Sequence, residues 1–356
     1  MSGLFLSFSD GVRFLCAAVF MINCPSSLFI SRFEMSKKLL VTGATGFLGN
    51  ALVERICTFP DTSIVAPLRN INCNLPIGIE KTYIPDIDQT TDWSASLAGV
   101  DTIVHAAARV HVMRESSEQS IEKFRAVNVQ GTLRLAHQAV EAGVKRFIFI
   151  SSIKVNGEAT ELGHPFSADD TPLPSDAYGV SKYEAEQQLL ELAEEGSMEV
   201  VIIRPVLIYG PGVGANFQQM MRWLSKGIPL PFGAVTNQRS LVFLENVVDL
   251  VVTCIDHPRA ANQIFLVSDG EDVSTTQLMK RLVAYLGTKS WLMPIPTKVL
   301  TFLARLLGRG AVAQRLFGSL QVDIKKNQEL LGWRPPVRLE DGLKSTTAHF
   351  LESRKQ

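Results

Sequence analysis

The stretch Lys38-Leu39-Leu40-Val41-Thr42-Gly43-Ala44-Thr45-Gly46-Phe47-Leu48-Gly49 decides how this chain folds. Its first five residues read as a short buried strand, and residues 50–58 as the helix that follows. Three glycines stand between them, and each has a use. One makes the tight turn, one lets the backbone approach a pyrophosphate, and one lets helix and strand pack closely. The helix N-terminus then offers phosphate oxygens free N–H groups and a partial positive charge. Glycine spacing alone is a weak signal; a strand before and a helix after make it a dinucleotide-binding turn.

Working outward, residues 63–67, 102–106, 147–151 and 200–204 are further short apolar runs, separated by helical patterns over 121–142 and 180–195. This alternation predicts an α/β fold, a Rossmann-type doubly wound parallel sheet with helices on both faces. Residues 158–176 are polar and proline-containing, a surface loop. Beyond Pro205 the alternation loosens into a smaller C-terminal lobe. The expected division is a dinucleotide-binding domain over 36–205, with segments around 241–270 returning to it, and a substrate lobe over 206–240 and 271–356. Residues 291–320 read as helical, carrying Lys298, Arg305, Arg309 and Arg315. The basic stretch 297–317 reads as a partly solvated lobe helix rather than a membrane contact.

Composition excludes several classes. With 35 basic and 35 acidic residues, the chain as a whole has no electrostatic footprint for nucleic acid or an anionic membrane. At 46% hydrophobic and 20% charged it is not intrinsically disordered. Cys16, Cys24, Cys57, Cys73 and Cys254 form no CxxC pair and the histidines no ligand spacing, so no metal site is expected. The apolar run at 14–22 is far shorter than the ~20 residues a bilayer requires. Residues 1–35 therefore read as a non-core extension, with Met35 as the expected working start of a cytoplasmic chain without a membrane span.

Tyr178-Gly179-Val180-Ser181-Lys182 is the sharpest chemical signal. Residues i and i+4 share one helix face, so phenol and ammonium point into the same space. An ammonium beside a tyrosine favours phenolate, so a lowered phenol pKa is expected. Upstream, a strand ends in Phe149-Ile150-Ser151-Ser152, placing a hydroxyl at the carboxyl edge of the sheet, where open α/β sheets bind ligands. His105-Ala106-Ala107-Ala108 ends another strand on small residues, which lets the backbone pass close to a cofactor. No carboxylate follows the second strand, in Ala66-Pro67-Leu68-Arg69-Asn70, where a ribose-binding acid is expected. Arg69 could pair with a 2′-phosphate instead, which favours NADP slightly over NAD.

The GxxGxxG turn with these motifs resembles the extended short-chain dehydrogenase/reductases, in their NAD-dependent epimerase/dehydratase branch. The resemblance spans residues 37–343. It implies Ser152, Tyr178 and Lys182 as catalytic residues, with Ser152 chosen over Ser151 by counting back from Val155-Asn156-Gly157, the counterpart of the family's Val-Tyr-Gly. It implies Gly43, Thr45, Gly46, Phe47, Leu48, Gly49, Asp86, Ile87, Ala106, Ala107, Ala108 and Asn128 around the cofactor. It implies Asn216, Arg239 and Arg315 on the diphosphate of a nucleotide-sugar substrate, and a homodimer as the family's habit. Asn156 replaces an aromatic residue, so altered substrate contacts are expected there. Ile153-Lys154 replace the Asp-Glu pair of 4,6-dehydratases, which sets dehydration aside. The texture is closest to polysaccharide-cluster nucleotide-sugar 4-ketoreductases acting on a UDP-4-keto-6-deoxy-N-acetylhexosamine. A UDP-sugar 4-epimerase with retained NAD uses the same residues and is the alternative. A non-catalytic NADP-binding regulator would have no use for Ser152, Tyr178 and Lys182 together.

Overall fold

The computed structural model describes residues 37–110, 117–196, 198–306, 308, 310 and 316–354. The extension 1–35 and the expected substrate residue Arg315 lie outside the described residues. Strand β1 (Lys37–Thr42) leads through the glycine turn into helix α1 (Phe47–Ile56), which starts three residues earlier than the sequence pattern suggests because the turn itself opens the helix. Then come β2 (Thr62–Leu68), β3 (Glu80–Tyr83), β4 (Thr102–His105), β5 (Arg146–Ile150), β6 (Glu199–Pro205) and β9 (Gln263–Val267). These and β1 form a seven-stranded sheet in the order β3-β2-β1-β4-β5-β6-β9, parallel throughout. The order reverses between β1 and β4, which opens the crevice where such sheets bind dinucleotides.

Burial on both faces explains the unbroken apolar runs: every residue of β4 and β5 is buried. One face packs Leu52, Val53 and Ile56 of α1 together with Val247 and Val251 of the later helix Leu244–Asp256. The other packs Leu135 and Ala139 against Leu189 and Leu192. The helix expected over 121–142 has three pieces: α2 (Ser117–Phe124), a π-helical stretch Arg125–Gly131, and α3 (Thr132–Glu141). The widened turn coincides with Asn128, whose buried amide bonds across to other elements, and with Gly131, where a Cβ would lie 2.7 Å from Ile87 Cγ2.

Helix α4 (Ala177–Glu194) carries the Tyr178–Lys182 pair. A smaller sheet in the order β10-β8-β7 contains β7 (Leu207–Tyr209), β8 (Arg239–Phe243) and β10 (Asp272–Val273). Helices α5 (Ala215–Ser225), α7 (Thr275–Leu286) and α10 (Leu339–Glu352) share its core through Phe217, Leu282 and Leu343. Between β8 and β9 lies α6 (Leu244–Asp256), through which the chain returns to the large sheet. In the stretch 291–320 the described residues carry the helix Thr297–Leu306 (α8), and Gly310, Leu316 and Phe317 are helical as well. Pro294 and Pro296 hold the chain ahead of α8 extended, in isolated bridges Leu230↔Leu292 and Ala234↔Pro296. Lys325–Leu331 (α9) packs near β9, with Asn327 Nδ2 donating to Leu266 O at 2.9 Å.

A buried ion pair ties α4 to the sheet. Arg204 of β6 donates to both carboxylate oxygens of Glu186, at 3.0 Å from Nε and 2.5 Å from Nη2, and both side chains are 1% exposed. The remaining Arg204 fork donates through Nη1 to Asn156 Oδ1 at 2.9 Å, and Asn156 Nδ2 donates to Ser167 O at 2.9 Å. Asn156, expected to alter substrate contacts, is thus a buried structural partner of Arg204, because its carbonyl caps an otherwise unsatisfied guanidinium edge.

Two outcomes follow from this packing. A Cβ on Gly49 would lie 2.0 Å from Gly43 O, so Gly49→Ala is expected to lower unfolding free energy by about 1–3 kcal/mol in denaturant titration. Arg204→Met strands the Glu186 carboxylate without its partner and is expected to cost about 3–5 kcal/mol, whereas Arg204→Met with Glu186→Leu should recover much of it.

Candidate active site

β1 ends at Thr42 and β4 at His105, opposite one another in the ladder. The Thr42 hydroxyl meets His105 Nδ1 at 2.8 Å and accepts from the Ala107 N–H at 3.1 Å. The other ring nitrogen of His105 meets the Thr132 hydroxyl at 3.0 Å, and the ring stacks on Phe149. This buried column pins the chain leaving β4 against the glycine turn. Gly43 takes a φ of +69°, and a Cβ there would stand 2.9 Å from Ala107 N. Ala106, Ala107 and Ala108 are half-buried beside it.

Thr45, Gly46 and Phe47 form the exposed tip of the turn, and Leu48 packs inward on the core. No side chain caps α1 at Gly46, so its first-turn N–H groups are available to a ligand's oxygens. Arg69 is exposed just past β2, Asp86 is exposed past β3, and Ile87 packs on Gly131. A cradle that any Cβ would fill, at an uncapped helix N-terminus on the switch point of the sheet, fits a dinucleotide pyrophosphate.

Ser152, Tyr178 and Lys182 gather at the carboxyl end of β5. Ser152 caps the short turn Ile153–Val155, its Oγ accepting from Lys154 N at 3.3 Å, and is half-buried, whereas Ser151 is buried. The first turn of α4 lies directly on that turn: a Cβ on Gly179 would lie 2.8 Å from Lys154 O. Asp176 caps α4 by accepting from Gly179 N at 2.7 Å, and it also pairs with Lys154. Lys182 Nζ donates to Ile150 O at 2.8 Å and sits 4.3 Å from the centre of the Phe149 ring.

The electrostatics correct one expectation. Burial pushes the Tyr178 phenol up to about 12, with the Asp176 carboxylate adding to the effect. Burial also brings Lys182 down to about 7, only partly opposed by Glu186. The phenol is therefore not lowered by its neighbour: desolvation dominates both groups, and the amine is engaged by the Ile150 carbonyl rather than by the phenol.

Asn128 holds the other wall. Its amide accepts from Arg109 N at 2.8 Å, donates to Arg109 O at 3.1 Å, and donates to Ser181 Oγ at 3.0 Å. Ser181 in turn donates to Tyr178 O at 2.8 Å. Asn128 therefore links the loop after β4 to the helix that carries Tyr178. On the second lobe, Asn216 is exposed in the first turn of α5, and Arg239 opens β8 with Nη1 donating to Gly318 O at 3.1 Å. Sequence reasoning missed Thr42, His105, Thr132, Arg109 and Ser181. A usable signal existed for Thr42 and His105, each the polar last residue of an otherwise apolar strand.

The model of the NAD dependent epimerase/dehydratase family matches residues 39–268. A protein of Vibrio cholerae named UDP-glucose 4-epimerase is 49% identical over 322 residues, covering 90% of this chain and 97% of that protein. Among solved structures, MoeE5 in complex with UDP-glucuronic acid and NAD is 25% identical, with a TM-score of 0.71 over 89% of this chain and 99% of that one. UDP-glucose 4-epimerase of Thermotoga maritima, solved with UDP-glucose, shares the fold at 23% identity and a TM-score of 0.70, over 89% and 99% of the two chains. A family model spanning most of the chain, and a near-half identity sustained along nearly all of it, leave one conclusion: this chain belongs to the NAD dependent epimerase/dehydratase family.

Proposed function

We propose that this chain is a nucleotide-sugar 4-epimerase that retains NAD through its reaction. The observation that carries the reading is the gathering of Ser152, Tyr178 and Lys182 beside the glycine cradle, in a chain 49% identical to a protein named UDP-glucose 4-epimerase. The ketoreductase expectation yields to the epimerase alternative on that likeness. Ile153 is buried and Lys154 pairs with Asp176, so the positions after Ser152 offer no acid for eliminating water.

In this reading Tyr178 takes and returns the proton of the sugar C4 hydroxyl, while Ser152 hydrogen-bonds the same oxygen. Lys182 holds the nicotinamide ribose, Gly43 to Gly49 receive the pyrophosphate, and Asp86 and Ile87 face the adenosine end. When bound, oxidised NAD supplies the hydride acceptor and a positive charge that favours the phenolate of Tyr178. The Glu186–Arg204 pair fixes the helix bearing Tyr178 and Lys182, and the half-buried phenol is held largely in its protonated form. Arg239 and Asn216 bind the nucleotide diphosphate.

One observation favours a second reading. Arg69 is exposed at the end of β2 and neither it nor Leu68 is a carboxylate, so a 2′-phosphate meets no repulsion there. This suits a reductase drawing on NADPH.

Tyr178→Phe is expected to cut turnover at least ~100-fold, measured as C4 inversion of UDP-sugars by NMR, while coenzyme affinity persists. Purified protein is expected to hold NAD and to invert C4 without net coenzyme consumption. Net NADPH oxidation on a 4-keto nucleotide sugar, with that preference weakened by about 1–3 kcal/mol in Arg69→Ala, would establish the reductase instead.

A further inference from the structure

Helix α8 (Thr297–Leu306) is amphipathic in the wrong sense for a helix of a self-contained domain. Val299, Phe302, Leu303 and Leu306 fall at i, i+3, i+4 and i+7, on one face, and all four are exposed, Phe302 at 62% and Leu306 at 68%. The side turned to the protein is made of half-buried Thr297, Leu300, Thr301 and Ala304, with Thr297 Oγ1 donating to Ala234 O at 3.3 Å. No residue of the helix is buried. Lys298 and Arg305 are exposed on the flank of the apolar face, and Trp291, 62% exposed, precedes the helix.

The charge around this face selects its occupant. The chain as a whole balances 35 basic against 35 acidic residues, yet no Asp or Glu occurs between Asp272 and Asp323. Among the described residues, Lys289, Lys298 and Arg305 lie in that interval, with Lys280 and Arg281 on α7. A second copy of this chain would bring two such carboxylate-free stretches together, which like-charge repulsion opposes. An anionic bilayer surface answers both features: acyl chains take the Phe and Leu side chains, and lipid phosphates take the flanking cations. Among the described residues no helix is long and apolar enough to cross a membrane, so the contact would lie on the bilayer, not through it.

We propose that α8 is a docking face for an anionic phospholipid bilayer. The sequence pattern alone favoured a solvated helix; the outward orientation of its apolar side reverses that.

The test is flotation of the full-length chain with vesicles of phosphatidylcholine alone or mixed with phosphatidylglycerol. The chain should float with the phosphatidylglycerol vesicles. Phe302→Glu with Leu306→Glu should lower the bound fraction at least ~10-fold, with an unchanged thermal unfolding midpoint because both side chains face outward. Lys298→Gln with Arg305→Gln, placed outside the apolar face, should weaken binding and its dependence on phosphatidylglycerol. Failure of the unaltered chain to bind overturns the proposal. So does undiminished binding by the Glu variant, which would assign the contact elsewhere, such as the apolar run at 14–22. A dimer that the Glu variant dissociates, without vesicle binding, would give the face to a second copy.

Discussion

The carbonyl of Gly43 lies so near Gly49, in the first turn of α1, that a Cβ there would come within 2.0 Å of it. That approach sets how closely the first helix lies on the sheet, and through it where the helix N-terminus points. On the other side of the same turn, the Ala107 backbone stands 2.9 Å from the place of a Gly43 Cβ. β1, α1 and the exit of β4 are thus locked together by the absence of side chains at two positions. The cradle follows from sterics rather than from any strong bond.

The second wall of the site is held by the opposite means. Glu186 stands one turn after Lys182 on α4, and its ion pair with Arg204 fastens that turn to β6. Buried pairs contribute little net stability, since desolvation offsets most of the attraction. Their value lies in geometry: the planar guanidinium accepts only one orientation of the carboxylate, and Asn156 occupies its remaining edge. Lys182 is thereby brought beneath the last carbonyl of β5.

Features written in local sequence were legible in advance. The alternation of apolar runs, the glycine turn and the Tyr178–Lys182 spacing each occupy a few consecutive residues, and each appears in the structure where expected. What depended on distant partners was not legible. The π-helical stretch at Asn128 answers to Arg109 and Ser181, which no periodicity announces. The rise of the Tyr178 pKa comes from burial, which a spacing rule ignores. The altered substrate contacts expected where Asn156 replaces an aromatic residue give way to a structural bond, because its partner Arg204 lies far along the chain. The helix expected over 291–320 begins only at Thr297, as α8, because Pro294 and Pro296 hold the preceding residues extended.

His105, held between Thr42 and Thr132, carries a consequence for acid tolerance. Burial, with the nearby Lys182 charge, pulls its imidazole down to about 3, so the folded protein keeps the ring neutral well below the ordinary range. An unfolded chain binds that proton near pH ~6.5. Between these two values the unfolded state holds one proton more, and stability falls as the medium is acidified. The loss is absent above about 6.5, grows with acidification, and is complete near 3. The column that seats the cofactor crevice is therefore also an uncharged element, and acid weakens the fold by charging its histidine only in the unfolded chain.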